Sequence, residues 1–290
     1  MPVEASSRVD VSTELRGLDD LELHGEPVPG RGRRILSSTW PKLIALAVLI
    51  GLWQLLVLSE WKPRYALAGP TDVWPELQEM WQGGELSTAI RITLGRAIAG
   101  YALAMVIGVS LGILVAGSRF MRTGFGSIIT GVQTMPSVAW FPLAILLFGI
   151  SEQAIMFVVV LGAAPSIANG LISGVDNVPP LLRRAGRVLG AKGISEWRFV
   201  VLPGAVPGFI GGMKQAWAFA WRSLLAGELL VIVPGRESLG ALLQTGRDLS
   251  NSAMLLAAMS VLLVVGIVVD TLFFGRLERA VRHRYGLDLA

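Results

Sequence analysis

Apolar runs long enough to cross a bilayer recur along this chain, at about residues 41–58, 90–116, 125–148, 152–174, 206–233 and 253–274. A hydrocarbon core of ~30 Å takes ~20 residues of helix. Backbone groups inside it must bond within their own structure, because no water reaches them. Only 16% of the residues are charged while 53% are hydrophobic, against about 25% charged in soluble domains. A soluble helical domain is the competing reading, and several runs of spanning length in one chain argue against it. The fold class that follows is an all-α polytopic membrane protein of about six transmembrane helices.

The polar remainder divides the chain. Residues 1–39 read as a largely disordered cytosolic tail that ends in Arg31, Arg33 and Arg34. Residues 40–275 form the transmembrane domain, and 276–290 a second cytosolic tail. The first 39 residues lack an early apolar stretch, so no cleavable signal peptide is expected. Between the first two runs, Trp74, Leu77 and Trp81 share one face of a short helix near Asp72 and Pro75. That helix lies on the membrane surface or against the rest of the protein. Gly108 and Gly112, one turn apart in the second run, suit a close approach by another helix.

The isoelectric point near 9.8 does not point to nucleic acid, because Lys and Arg sit mostly at the ends of apolar runs. With the amino terminus inside, seventeen basic residues fall in inner segments and four in outer ones, which places both termini in the cytoplasm. The absence of cysteine rules out disulfides and thiol chemistry. The two histidines, His24 and His283, lie in the polar tails, so a histidine-based metal or catalytic centre is not expected.

One inner segment, residues 177–203, holds five basic residues, the pair Pro179 and Pro180, and three glycines. Proline suits a first helical turn and glycine a left-handed cap. A helix over 181–189 capped by Gly190 is therefore predicted, then a second short helix over about 194–201, with Pro203 opening the fifth span. Leu181, Leu182, Ala185 and Leu189 give this bracket an apolar face, and its arginines a basic one.

Ala185, Gly186, Gly190, Ala191, Leu202 and Pro203 match the spacing A-A/G-x3-G-A-x10-L-P. In this the chain resembles the permease subunits of ATP-binding-cassette importers, whose cytoplasmic EAA-type loop has that pattern. Thr93-Leu94-Gly95-Arg96 with Gly100 looks like S-L-x-R-x-x-x-G of the branch for nitrate, sulfonate, taurine and bicarbonate. The stretch from Pro136 to Leu143, PSVAWFPL, and Phe148-Gly149-Ile150 look like that branch's P-x-x-A-W-x-P-L and F-G-I/L. The likeness covers about residues 40–285. One position departs: the glutamate that opens the family's loop is Arg184 here.

The resemblance implies a homodimer in a bacterial inner membrane, two ATPase subunits docked at the coupling loop, and an extracytoplasmic substrate-binding protein. Arg183, Arg184, Ala185, Gly186, Leu189, Gly190, Ala191, Leu202 and Pro203 are the implied ATPase-coupling residues. The chain lacks the phosphate loop G-x4-G-K-[ST]. No cofactor is expected on this chain, and ATP and Mg would be bound by the partner ATPases. The substrate class implied is a small oxyanion, with a neutral or cationic small metabolite such as a pyrimidine vitamin precursor as the alternative. An ion-gradient-driven transporter would instead carry acidic residues near the midplane, and no span has one at its centre.

Arg222 lies near the middle of the fifth span, where an arginine costs at least ~2.5–3.5 kcal/mol to insert and so needs a cavity or a partner. It lines the pathway and attracts an anion, or it pairs structurally with Glu228 or a carbonyl. Gln133, Thr134 and Ser137 surround Pro136, which frees backbone carbonyls; they line the pathway or bond between helices. The pathway candidates are Gln133, Pro136, Trp140, Trp221, Arg222 and Glu228. Arg96 reads as structural, and Lys214 as snorkelling to the inner surface.

Overall fold

The computed structural model describes residues 31–286. The reading of a disordered tail lies, for residues 1–30, outside them. The chain divides after Leu58 into two units. The first holds α1 (Arg31–Leu58), whose helix begins within the stretch assigned to the tail and passes through Pro41.

Among the described residues the second unit contains nine further helices of eight residues or more. They are α2 (Pro70–Gln82), α3 (Glu85–Gly117), α4 (Arg119–Thr134), α5 (Phe141–Phe148), α6 (Glu152–Asp176), α7 (Pro180–Val188), α8 (Leu202–Leu230) and α9 (Leu239–Asp248), followed by α10 (Ser252–Arg284). Among the described residues α3, α6 and α10 are long and apolar enough to cross a membrane. The α4–α5 pair makes a fourth if counted as one span. The expected count of six thus resolves unevenly. α8 has the length, 29 residues, but Lys214, Arg222, Glu228 and its prolines and glycines lower its hydropathy. The apolar part of α1, Leu43–Leu58, is shorter than a span.

The third expected span is not continuous. It bends by 101° between α4 and α5, where Met135 and Pro136 turn extended and a single 3-10 turn, Ser137–Trp140, follows. Proline forces this, since it disfavours helix in the residue before it and donates no N–H. Pro165, by contrast, is carried inside α6 without a break.

α6 lies at the centre, packed along α8 and α3. Its crossing with α8 is tight enough that a Cβ on Gly170 would sit 2.5 Å from the Gly212 Cα, so only glycine fits on either side. Gly108 and Gly112 meet the backbone and side chains of α6 at Ala164, Ile167, Ala168 and Leu171, as their spacing predicts. The core around Ile155, Val158, Ile167, Ala216 and Leu224 is fully buried. α2 rests on the protein through Val73 and Met80, and its Trp74 and Trp81 point outward.

The segment before α8 differs from expectation. Ile194–Glu196 is helical and runs through a wide π turn, Trp197–Val201, directly into α8. Pro203 therefore sits within one continuous helix instead of opening a separate span. The Leu202 N–H bonds to the Trp197 carbonyl, five residues back, and this wider turn accommodates the proline that follows. Further on, Pro207 cannot donate to the Pro203 carbonyl, and the Tyr285 hydroxyl at the end of α10 donates to it instead, at 2.8 Å. Lys214 forms an ion pair with Asp270 in α10 at 3.2 Å, rather than reaching alone for the surface.

Candidate functional site: an arginine cavity and a cytoplasmic bracket

The break between α4 and α5 opens a cavity of about 340 Å³ against α6 and α8. Gln133, Pro136 and Trp140 line it from the broken side, and Phe219, Arg222 and Ser223 from α8. The Gln133 side chain is fixed by Asn169 of α6, whose amide donates to its carbonyl at 2.5 Å. Arg222 is exposed to this space. Its Nε donates to the Ala218 carbonyl at 3.2 Å, and its guanidinium lies 4.7 Å from the centre of the Phe219 ring. The lining contains no carboxylate, so the charge of Arg222 is held by its own helix and left unneutralised.

Two pathway candidates lie elsewhere. Trp221 stacks on Trp217, with ring centres 6.1 Å apart, and faces Gly266 of α10. Neighbouring residues on a helix point about 100° apart, so standing beside Arg222 in sequence took Trp221 away from the cavity.

Glu228 is fully buried in a separate network near the C-terminal end of α8. It accepts from Arg96 Nη1 at 2.9 Å, from the Thr93 hydroxyl at 2.9 and 3.1 Å, and from the Gly240 N–H at 3.1 Å. Thr93 in turn accepts the Leu239 N–H at 3.0 Å. Arg96 completes the set with two bonds to Glu152, of 2.5 and 2.7 Å. The network joins α3, α6 and α8 to the first turn of α9, where the helix dipole favours an anion. It also explains the spacing of Thr93, Arg96 and Gly100. The first two share the face of α3 that grips Glu228. Gly100, one turn on, lets Val159 of α6 approach to 2.7 Å of where a Cβ would stand.

The bracket is built much as its prolines and glycines dictate. Pro180 begins α7, and Gly190 at φ +91° reverses the chain after Leu189. Ala191 N–H bonds back to the Gly186 carbonyl at 2.9 Å, closing the helix end as a Schellman cap does. Gly186 is buried against Val200, which a Cβ there would meet at 2.6 Å, so α7 packs on the π turn that leads into α8. Arg187 makes a forked pair with Glu196 at 3.0–3.2 Å. This hydrogen bond holds the Glu196 carboxyl below the usual glutamate range, helped by the charges of Arg187 and Arg183.

The tip is apolar and bare. Val188, Leu189 and Ile194 are each 87% exposed and Leu181 is 74% exposed. Ala185 and Arg184 are exposed beside them. Leu202 is half-buried and Pro203 exposed at the base. Among the described residues no group of three His, Cys, Asp or Glu could hold a metal ion.

Comparison with known proteins places this architecture. The family described as the binding-protein-dependent transport system inner membrane component matches residues 104–283. The chain belongs to this family of ATP-binding-cassette importer permeases. A putative ABC transporter permease of Methanocaldococcus jannaschii is 32% identical over 232 residues, covering 79% of this chain and 85% of that protein. The nitrate import permease of Leptolyngbya laminosa is 28% identical, covering 83% and 87%. A putative aliphatic sulfonates transport permease of Bacillus subtilis is 29% identical, covering 87% and 88%. Among solved structures, a chain of the MetNI methionine ABC transporter in an inward-facing conformation superposes with a TM-score of 0.58 at 24% identity. It covers 70% of this chain and 97% of its own length. That likeness speaks for the fold alone.

Some functional candidates were not legible in the sequence. Phe219 and Ser223 join the cavity, and Asn169 reaches Gln133 at its wall, only through the packing of α6 and α8. The partner of Glu196 within the bracket, Arg187, shows only in the folded arrangement.

Proposed function

We propose that two copies of this chain form the translocation pathway of an importer for a small anion such as aliphatic sulfonate, taurine, nitrate or bicarbonate. The observation that carries this reading is Arg222, a cation within a span that faces a cavity whose lining holds no carboxylate. An anion in transit supplies the missing counter-charge, and the cavity gives it room. The nitrate and sulfonate permeases among the relatives support the same substrate class.

Two ATPase subunits dock on the bare apolar tips of the two brackets, and a binding protein outside delivers substrate. Both termini lie in the cytoplasm, as the charge count favours. ATP and Mg are bound by the ATPase partners, since this chain has no phosphate loop. Closure of the ATPases draws the brackets together, and the motion passes through the Gly186–Val200 contact into the continuous helix of α8. α8 also carries Arg222, so the lever and the pathway charge share one rigid element.

The reading is tested by uptake in proteoliposomes containing the permease, its ATPase and its binding protein. Arg222→Ala should abolish uptake of an anionic substrate while the complex still assembles, and Arg222→Lys should retain part of it. Undiminished uptake in Arg222→Ala would overturn the anion assignment.

A further inference from the structure

A second basic cavity lies at the root of the bracket, apart from the apolar tip. It measures about 350 Å³ and is lined by Asp176, Val178, Pro180, Arg183, Arg184 and Arg187. The three arginines occupy one flank of α7, and Arg122 reaches the same place through its 2.7 Å pair with Asp176. Among the described residues two carboxylates pair with these four guanidiniums, Asp176 with Arg122 and Glu196 with Arg187. Two positive charges are left over at the cavity. Arg183 donates one N–H to the Val175 carbonyl at 2.7 Å, while its Nε is buried without any hydrogen-bond partner. Arg184 is exposed and in no ion pair among the described residues. Holding like charges together around an open cavity is unfavourable unless an anion joins them.

The level of the cavity narrows the anion. α6 has 25 residues, about 37 Å of helix, which exceeds a hydrocarbon core of ~30 Å. With α6 centred on that core, Asp176, its last residue, stands just beyond the hydrocarbon, and the cavity falls where lipid headgroups begin. Guanidinium groups bind phosphate oxygens through paired N–H donors, and basic pockets at this depth suit phosphate headgroups.

We propose that the basic flank of α7 is a phosphate-binding site, in which Arg183, Arg184 and Arg187 hold the phosphate of an anionic lipid headgroup or a free phosphate at the root of the coupling bracket. Its depth rests on the inward orientation of the bracket given above. A bound phosphate would brace α7 against the end of α6 and so stiffen the lever.

The test uses the full-length protein in detergent, followed by native mass spectrometry, with no transport readout. It is therefore independent of whether the bracket couples to an ATPase. Phosphatidylglycerol, phosphatidylcholine and inorganic phosphate are the probes. Phosphatidylglycerol should bind in preference to phosphatidylcholine, and Arg184→Gln should weaken it by about tenfold, the loss of one charge-assisted contact. Arg183→Gln together with Arg184→Gln should remove the preference, while Arg184→Lys keeps part of it and Arg236→Gln, distant from the cavity, changes nothing. Inorganic phosphate that fails to displace the lipid assigns the site to headgroups, and displacement at low concentration assigns it to free phosphate. Equal binding of the two lipids, or binding unaffected by the Arg184 variants, overturns the proposal. So does an Arg184 effect seen only on association with the ATPase subunit, which would give the flank to a protein partner.

Discussion

Arg96 and Arg222 both place a guanidinium on a long helix, α3 and α8, and the fold treats them in opposite ways. Arg96 is 5% exposed and bonded to two carboxylates. Arg222 faces a cavity with no carboxylate in its wall and leans on its own helix. A charge inside a membrane protein must face a partner or a polar space, so the contrast separates a charge used for cohesion from one kept available. The first ties four helices together. The second is uncompensated in the chain, which is the condition a passing anion would satisfy.

The sharpest way to break the comparison is to unpair Arg96. Glu228→Ala leaves a buried guanidinium short of one carboxylate and strips acceptors from Thr93 and Gly240. Breaking a buried pair by removing one partner costs about 3–5 kcal/mol, which at about 2–4 °C per kcal/mol lowers the unfolding midpoint by roughly 10 °C. Thermal unfolding of the purified protein measures this, and an unchanged midpoint would mean that the network contributes little.

Gly186→Leu should come next. A side chain there drives into Val200, and overpacking costs about 1–3 kcal/mol. Because the strain falls on the joint between α7 and α8, ATP-dependent uptake should fall much further than membrane insertion does. Immunoblots of membrane fractions beside uptake rates would decide, and normal uptake would remove Gly186 from the transmission path.

Arg222→Ala completes the contrast. Its contacts lie within its own helix, so stability should change by no more than about 0.5 kcal/mol, the range of substitutions away from buried networks. If thermal unfolding instead shows a loss like that of Glu228→Ala, Arg222 is a structural charge after all.

These two arginines also mark how far the sequence could be read. The need of Arg222 for a polar space followed from its depth alone. The bracket corners at Pro180 and Gly190 were legible because each residue type fixes its own backbone. The break at Pro136 was not, since proline alone does not decide it: Pro165 is carried inside α6 without one. Nor was the setting of Glu228. Its partners Arg96 and Thr93 stand 132 and 135 residues away in α3, and single-chain periodicity carries no information about them. The wide turn at Trp197–Val201 was equally hidden, because a helix that absorbs Pro203 without breaking depends on a shifted bonding register.

The smallest expected effect concerns a third arginine, Arg187, whose pair with Glu196 lies in the aqueous bracket. The fork lowers the Glu196 pKa in the folded protein, so its contribution is present above the ordinary glutamate value of about 4.3 and is lost as pH falls through the still lower folded value. Arg187 is largely exposed, and solvent screening keeps such pairs weak. The expected outcome is local loosening of residues 185–196 below about pH 4, with the rest of the fold unaffected. Amide exchange, corrected for the intrinsic pH dependence of the rate, would show it as reduced protection at Ala191. Arg187→Gln should already loosen this segment at neutral pH and remove most of the acid-induced change. Equal protection on both sides of that pH in the unsubstituted protein would mean that the Gly190 reversal and the Gly186–Val200 contact hold the bracket without the ion pair. The distinction between paired and available arginines would then apply only within the membrane.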